Sequence, residues 1–192
     1  MSVAEKTLIT AEQFLRMPNS GFELVDGELK ERIMSSLSNY IGGTIYFLLR
    51  AYVMAENLGW VFPPESGIQC FAWNPRLVRK PDTMFLKRER LRPEEIREGW
   101  LKVVPDLVVE VVSPHDTVYE VEEKVAEFRR AGVPLIWVVV PPSRTVRIFR
   151  ADGSSTMLND GDELSGEGVV PGFACRVAEL FLPEMPAPQP AG

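Results

Sequence analysis

Residues 105–116 read PDLVVEVVSPHD, and the acid in the middle of that valine run, Glu110, decides how the rest of the chain is understood. Five of the six residues from Leu107 to Val112 are aliphatic, with no turn former among them. Such a run predicts a strand covered on both faces, hence central in its sheet. An ionised carboxylate on that strand carries a heavy desolvation cost unless something compensates it. Two compensations are open: an arginine partner, or a cation shared with a second acid.

Working upstream, 77–86 (LVRKPDTMFL) and 60–72 (WVFPPESGIQCFA) read as two further strands bordered by proline or glycine. Working downstream, 119–131 (YEVEEKVAEFRRA) spaces Val121, Val125 and Phe128 along one helical face and stops at Gly132. Strands are predicted at 134–141 and 144–150. Near the N-terminus, Thr10 with Gln13 forms a capping box for a short helix over 11–17. FELVDGELKERI alternates about Asp26-Gly27, the signature of a β-hairpin. Apolar residues at 37, 41, 45, 48 and 52 predict a long helix from Ser36 to Leu58, with Gly42 and Gly43 calling for close packing against another element. The expected class is α/β, a mixed central β-sheet flanked by helices with an N-terminal β-hairpin. One domain is expected over 1–182, with VVPGFACRVAELF packing back on the body and a Pro-rich, disordered tail at 183–192.

Composition narrows the chemistry. The 192 residues hold 27 acids and 21 bases, and the net charge of −6 excludes a globally basic nucleic-acid coat. Residues 1–150 balance at 20 acids and 20 bases, while 76–92 carry seven bases against Asp82 and Glu89, a local excess of +5. That stretch is either a solvated edge or a surface for a polyanion, with Arg79, Lys80, Lys87 and Arg88 as candidate phosphate contacts. Two cysteines 105 positions apart, Cys70 and Cys175, offer no disulfide framework, which fits a reducing, cytoplasmic compartment. The longest apolar run has six residues, and the N-terminus lacks a signal-peptide pattern, so neither membrane insertion nor secretion is expected. One histidine, His115, excludes HExxH and other multi-imidazole sites, so a metal here needs oxygen ligands.

If the strands holding Asp82 and Glu110 pair, their carboxylates lie side by side about 5 Å apart and repel unless a divalent cation joins them. Hard oxygen donors select Mg²⁺ or Mn²⁺ over zinc. Asp106 shares the face of Glu110 but stands about 13 Å along the strand, so the two do not hold one ion. It and Glu23 are retained as outer members of the site. Lys124, 14 residues beyond Glu110, is placed for the helix to return it over the acids, or else pairs with the glutamates of its own helix. His115 acting as base for Ser113 is a weaker idea, since no GxSxG or oxyanion loop accompanies the pair.

These residues, taken in order from about residue 8 to 182, resemble the bacterial Uma-type family of restriction-endonuclease-like proteins in the PD-(D/E)XK nuclease superfamily. The resemblance rests on FELVDGELKE, RKPDTMFL, PDLVVEVVSPHD, FRRAGVPLIWVVVPPSRTVRIFR and the late DGDELSG, VPGF and VAELF. It implies a restriction-endonuclease-like core and a Mg²⁺-dependent phosphodiesterase acting on DNA, often as a homodimer. By resemblance, Asp82 is the aspartate of the PD element and Glu110 the acid of the (D/E)XK element. Val112 stands where the lysine of that element is expected, and Lys124 is its replacement. Asn39 stands where the family usually has a histidine at the start of the long helix. The two departures keep open a second expectation, a nuclease-fold protein that binds nucleic acid without cleaving it.

Overall fold

The computed structural model describes residues 8–97 and 99–183, so the tail expected at 183–192 lies outside the described residues from 184 onward. The short helix α1 (Ala11–Arg16) begins at a capping box in which the Thr10 hydroxyl accepts from the Gln13 N–H. Strands β1 (Phe22–Val25) and β2 (Glu28–Glu31) form the expected hairpin. Asp26 and Gly27 both take positive φ, 53° and 85°, as a two-residue turn matching the strand twist requires. The long helix α2 (Ser36–Ala55) follows, capped by Ser35. It stops short of the expected Leu58 because Asn57 turns into the left-handed region at φ 57°.

Six strands form the central sheet in the order β3 (Gly59–Phe62), β4 (Thr83–Lys87), β5 (Leu107–Val111), β6 (Leu135–Val140), β7 (Thr145–Arg150) and β8 (Ser155–Leu158). Only β5 and β6 are parallel, joined across helix α3 (Val118–Ala131). β5 is central, and all five of its residues are buried. The strand expected over 60–72 ends at Phe62, where Pro63 and Pro64 remove two backbone donors. Ile68 then makes only isolated bridges, to Arg79 and Leu101. The strand expected over 77–86 likewise becomes regular only at Thr83, because Val78 pairs with Leu24 of the hairpin instead. β8 and the small pair β9 (Glu163–Ser165) and β10 (Ala174–Arg176) lie in or beside a stretch that reads as turns in the sequence.

The strand alternation divides the core. Phe85, Val109, Trp137 and Ile148 face α2 together with Val170, Phe173, Val177 and Leu180 of the C-terminal segment, which does pack back on the body. Met84, Val108, Ile136 and Val138 face Val125 and Phe128 of α3. Glu110, even-numbered like Met84 and Val108, lies on the α3 side, where Lys124 reaches it, whereas Asp82, just ahead of β4, has its Cβ close to α2. Gly42 brings α2 against the start of β4, where an added Cβ would lie 3.7 Å from that of Asp82; Gly43 has open space around it. Among the described residues no helix is long and apolar enough to cross a membrane.

Candidate active site

The antiparallel pairing of β4 with β5 sets Thr83 opposite Val109, so the residue before β4 lies beside the end of β5. Asp82 continues the ladder through its N–H, which donates to the Val109 carbonyl at 3.1 Å. Its side chain turns along the end of β5, and Oδ2 accepts from the Val111 N–H at 2.7 Å. Oδ1 accepts from Arg32 Nη2 at 2.8 Å. Burial pushes the Asp82 carboxyl above its ordinary range, although Arg32 and the Val111 N–H both pull the other way.

Lys124 occupies the position in α3 that joins Val121, Val125 and Phe128 at helical spacing, and so points at the sheet and not at solvent. Its ammonium donates to Glu110 Oε2 at 2.9 Å and lies 3.7 Å from Glu23 Oε2. The carboxylates of Glu110 and Glu23 raise its pKa against the effect of burial. Glu110 Oε1 is buried and, among the described residues, has no hydrogen-bond partner. Burial pushes the Glu110 carboxyl up to about 7; Lys124 opposes the rise, and the charges of Asp82 and Glu23 add to it.

Glu23 arrives from the hairpin. Leu24 and Val78 exchange backbone hydrogen bonds of 3.0 and 2.8 Å, which lays β1 along residues 78–80. Glu23 then accepts from the Lys80 N–H at 2.8 Å and from Arg79 Nη1 at 3.0 Å. Burial alone would raise its pKa, but Lys124, Arg79 and Arg32 hold it below the ordinary carboxylate range. The structure thus brings Asp82, Glu110, Lys124 and Glu23 together in one cleft, whose wall also includes Arg32 and Asp116.

Other candidates lie elsewhere or are already engaged. Asp106 sits at the opposite end of β5 from the cleft, where it accepts from the Lys87 N–H at 2.9 Å and from Arg90 at 2.7 Å, so it is no outer member of this site. Arg79 is 1% exposed and bidentate to Glu127, at 2.7 and 3.0 Å. Lys80 is fully buried and bound to Asn19 and to Glu65, the latter at 2.7 Å, beside the Phe14 and Trp100 rings. Neither is free to meet a phosphate, so two of the four candidate phosphate contacts in 76–92 are already engaged within the chain. Lys87 and Arg88 lie at the far end of β4, roughly 17 Å from Asp82 at strand rise, with the Arg88 guanidinium over Trp60. Ser113 Oγ donates to the Ile33 carbonyl at 2.8 Å while His115 is exposed, so the pair has no nucleophile–base geometry. Asn39 is exposed on the first turn of α2.

Arg32 was not foreseen. A single arginine just past a hairpin strand has no spacing that marks it, and only the fold of the hairpin over β4 directs it to Asp82.

Among the described residues no three His, Cys, Asp or Glu side chains group tightly enough to enclose a metal ion. Asp82 and Glu110 remain as a two-carboxylate donor pair, and Mg²⁺ commonly accepts one or two carboxylates and completes its shell with water. The unpartnered Glu110 Oε1, beside a second acid, fits that chemistry.

The family described as "Uma2: Putative restriction endonuclease" matches residues 11–178. The chain belongs to the Uma2 family. Its fold is shared with a solved structure described as a "putative nuclease belonging to DUF820" from Anabaena variabilis. The TM-score is 0.75 at 18% identity, over 90% of this chain and 97% of the other. At that identity the likeness concerns the fold. No match was found among curated proteins.

Proposed function

We propose that this Uma2 protein is a divalent-metal-dependent endodeoxyribonuclease, hydrolysing phosphodiester bonds in DNA with Mg²⁺ or Mn²⁺ held by Asp82 and Glu110. The observation that carries the reading is Glu110 itself: a buried carboxylate with one oxygen on Lys124 at 2.9 Å and the other without a partner, next to Asp82. Family membership and the fold of the Anabaena protein support the nuclease class. The compartment that suits such an enzyme is the cytoplasm, where DNA is the partner.

A divalent ion in this position supplies Lewis acidity that activates water at neutral pH and offsets phosphate charge. The residues of the chain do the rest. Glu110 on β5 and Asp82 just ahead of β4 would present hard oxygens at one end of the sheet, where the reacting phosphate would sit. Lys124 holds Glu110 in orientation through its hydrogen bond. The same ammonium would orient the attacking water and offset the charge that develops on the phosphate oxygens. The Val111 N–H holds the Asp82 carboxylate in place. Val112 leaves β5 without a lysine, and Lys124 fills the role from α3, since its ammonium reaches the same carboxylate.

Nicking of supercoiled plasmid and cleavage of single-stranded DNA in Mg²⁺ or Mn²⁺ test this reading. Wild type is expected to cut, and Glu110→Gln and Lys124→Ala to lose activity by at least about 100-fold. Equal cleavage by all three proteins would refute the assigned site. A wild type that binds DNA with a steep salt dependence but makes no product would replace the enzyme with a nuclease-fold binding protein.

A further inference from the structure

Asp82 is engaged on both oxygens by donors of the chain, Oδ2 by the Val111 N–H and Oδ1 by Arg32 at 2.8 Å. Glu110, its neighbour across the strands, keeps one buried oxygen unpartnered. The site is therefore asymmetric toward a hard cation: one carboxylate is ready, and the other is held by a guanidinium. Arg32 is placed for this by the hairpin, where its own N–H donates to the Gly21 carbonyl at 2.7 Å just beyond β2. Its side chain is 8% exposed and also lies 3.8 Å from Glu23 Oε1 and 3.4 Å from Glu65 Oε1.

We propose that Arg32 is an internal counter-ion that competes with a divalent cation for Asp82, so that guanidinium and metal hold this carboxylate alternately. The proposal rests on the metal-dependent reading above. Two like charges cannot share one carboxylate in a buried cleft without strong repulsion. Arginine does not deprotonate in proteins, so the competition is resolved by moving the side chain and not by losing a proton. Two acceptors suit the displaced guanidinium. Glu65 is already within 3.4 Å with a side chain 42% exposed. A phosphate of the nucleic acid entering the cleft is the other, since the planar fork pairs with phosphate bidentately. A guanidinium released by metal and taken up by phosphate couples metal binding to substrate binding.

Isothermal titration of the full chain with Mg²⁺ and Mn²⁺ tests this, comparing wild type with Arg32→Met, Arg32→Lys and Glu110→Gln. Arg32→Met is expected to bind the ion roughly tenfold or more tightly than wild type, and Arg32→Lys, which keeps the charge but loses the fork, to gain less. Melting curves supply a second measurement. Arg32→Met should melt below wild type in EDTA, and Mg²⁺ should close that gap because the ion replaces the lost charge. A residue with a structural role alone would leave the gap unchanged. Unchanged or weaker ion affinity in Arg32→Met, or a melting gap that Mg²⁺ does not narrow, overturns the counter-ion role. If Glu110→Gln weakens binding while Arg32→Met does not strengthen it, the metal site stands and the role of Arg32 falls. If none of the four proteins binds an ion, both fall.

Discussion

Glu110 offers a test that needs neither substrate nor product. Its carboxyl, ordinarily at 4.5, is pushed up to about 7 by burial, with Asp82 and Glu23 adding to the rise and Lys124 opposing it. A folded-state value above the unfolded one means that the fold favours the neutral form. The associated stability is complete below about pH 4.5 and is lost as pH rises through 7. At about 1.4 kcal/mol per pH unit, the displacement amounts to about 3 kcal/mol. Glu110→Gln, neutral at every pH, cannot lose it. Urea unfolding of both proteins in EDTA at half-unit steps from pH 5 to 8 should show wild type losing about 2.5 kcal/mol relative to the variant, part of the total being lost already below pH 5. The steepest change should fall between pH 5 and 7. Subtracting one curve from the other cancels the titration of groups common to both. Removing the partner of Lys124 adds a constant offset over this range but no slope. Parallel curves, differing by less than about 0.5 kcal/mol across the range, would refute the claim that this carboxylate is held in an unfavourable charged state.

Arg79→Met leaves Glu23 and Glu127 without a charge that now sits 3.0 and 2.7 Å from them, and should cost about 3–5 kcal/mol in urea unfolding. Because the side chain is buried, the same variant, wherever it stays folded, should show an unchanged slope of DNA affinity against salt; a shallower slope would return it to the phosphate contacts. Gly59→Ala places a Cβ 2.1 Å from the Leu86 carbonyl oxygen and should lower stability by more than about 2 kcal/mol through the β3–β4 pairing, read as a fall in urea midpoint. Thr117→Ala removes the hydroxyl that accepts from the Glu120 N–H at the start of α3 and should cost about 1 kcal/mol. A comparable loss of melting temperature in Thr10→Ala, capping the short α1, would show that the effect does not depend on helix length.

Much of the architecture follows from local pattern. The valine run of β5, the spacing in α3 and the Asp26-Gly27 turn each admit one structure at short range, because burial period and backbone φ leave few alternatives. Asp82 and Glu110 could be singled out for the same reason: a charged residue in an apolar strand is costly enough to stand out. Lys124 was visible as a lysine on the helix after β5, 14 residues beyond Glu110, although its direction toward Glu110 awaited the crossover from β5 to β6.

The tertiary structure alone decided which of the remaining charges meet. Strand 60–72 stops at Phe62 ahead of Pro63 and Pro64, and strand 77–86 becomes regular only at Thr83 because the hairpin, and not β3, supplies the partner for Val78. That one substitution of backbone partners carries Glu23 to Arg79 and Lys80, and Arg32 to Asp82. The basic run 76–92 is continuous along the chain, yet it splits into Arg76 at the hairpin turn, two buried bases, and Lys87 and Arg88 at the far end of β4. Ion pairs between residues 50 or more positions apart leave no periodic trace in a sequence. Their partners are chosen by how strands and hairpin stack, and it is that stacking which places a guanidinium against one acid of the site while leaving the other with an unpaired oxygen.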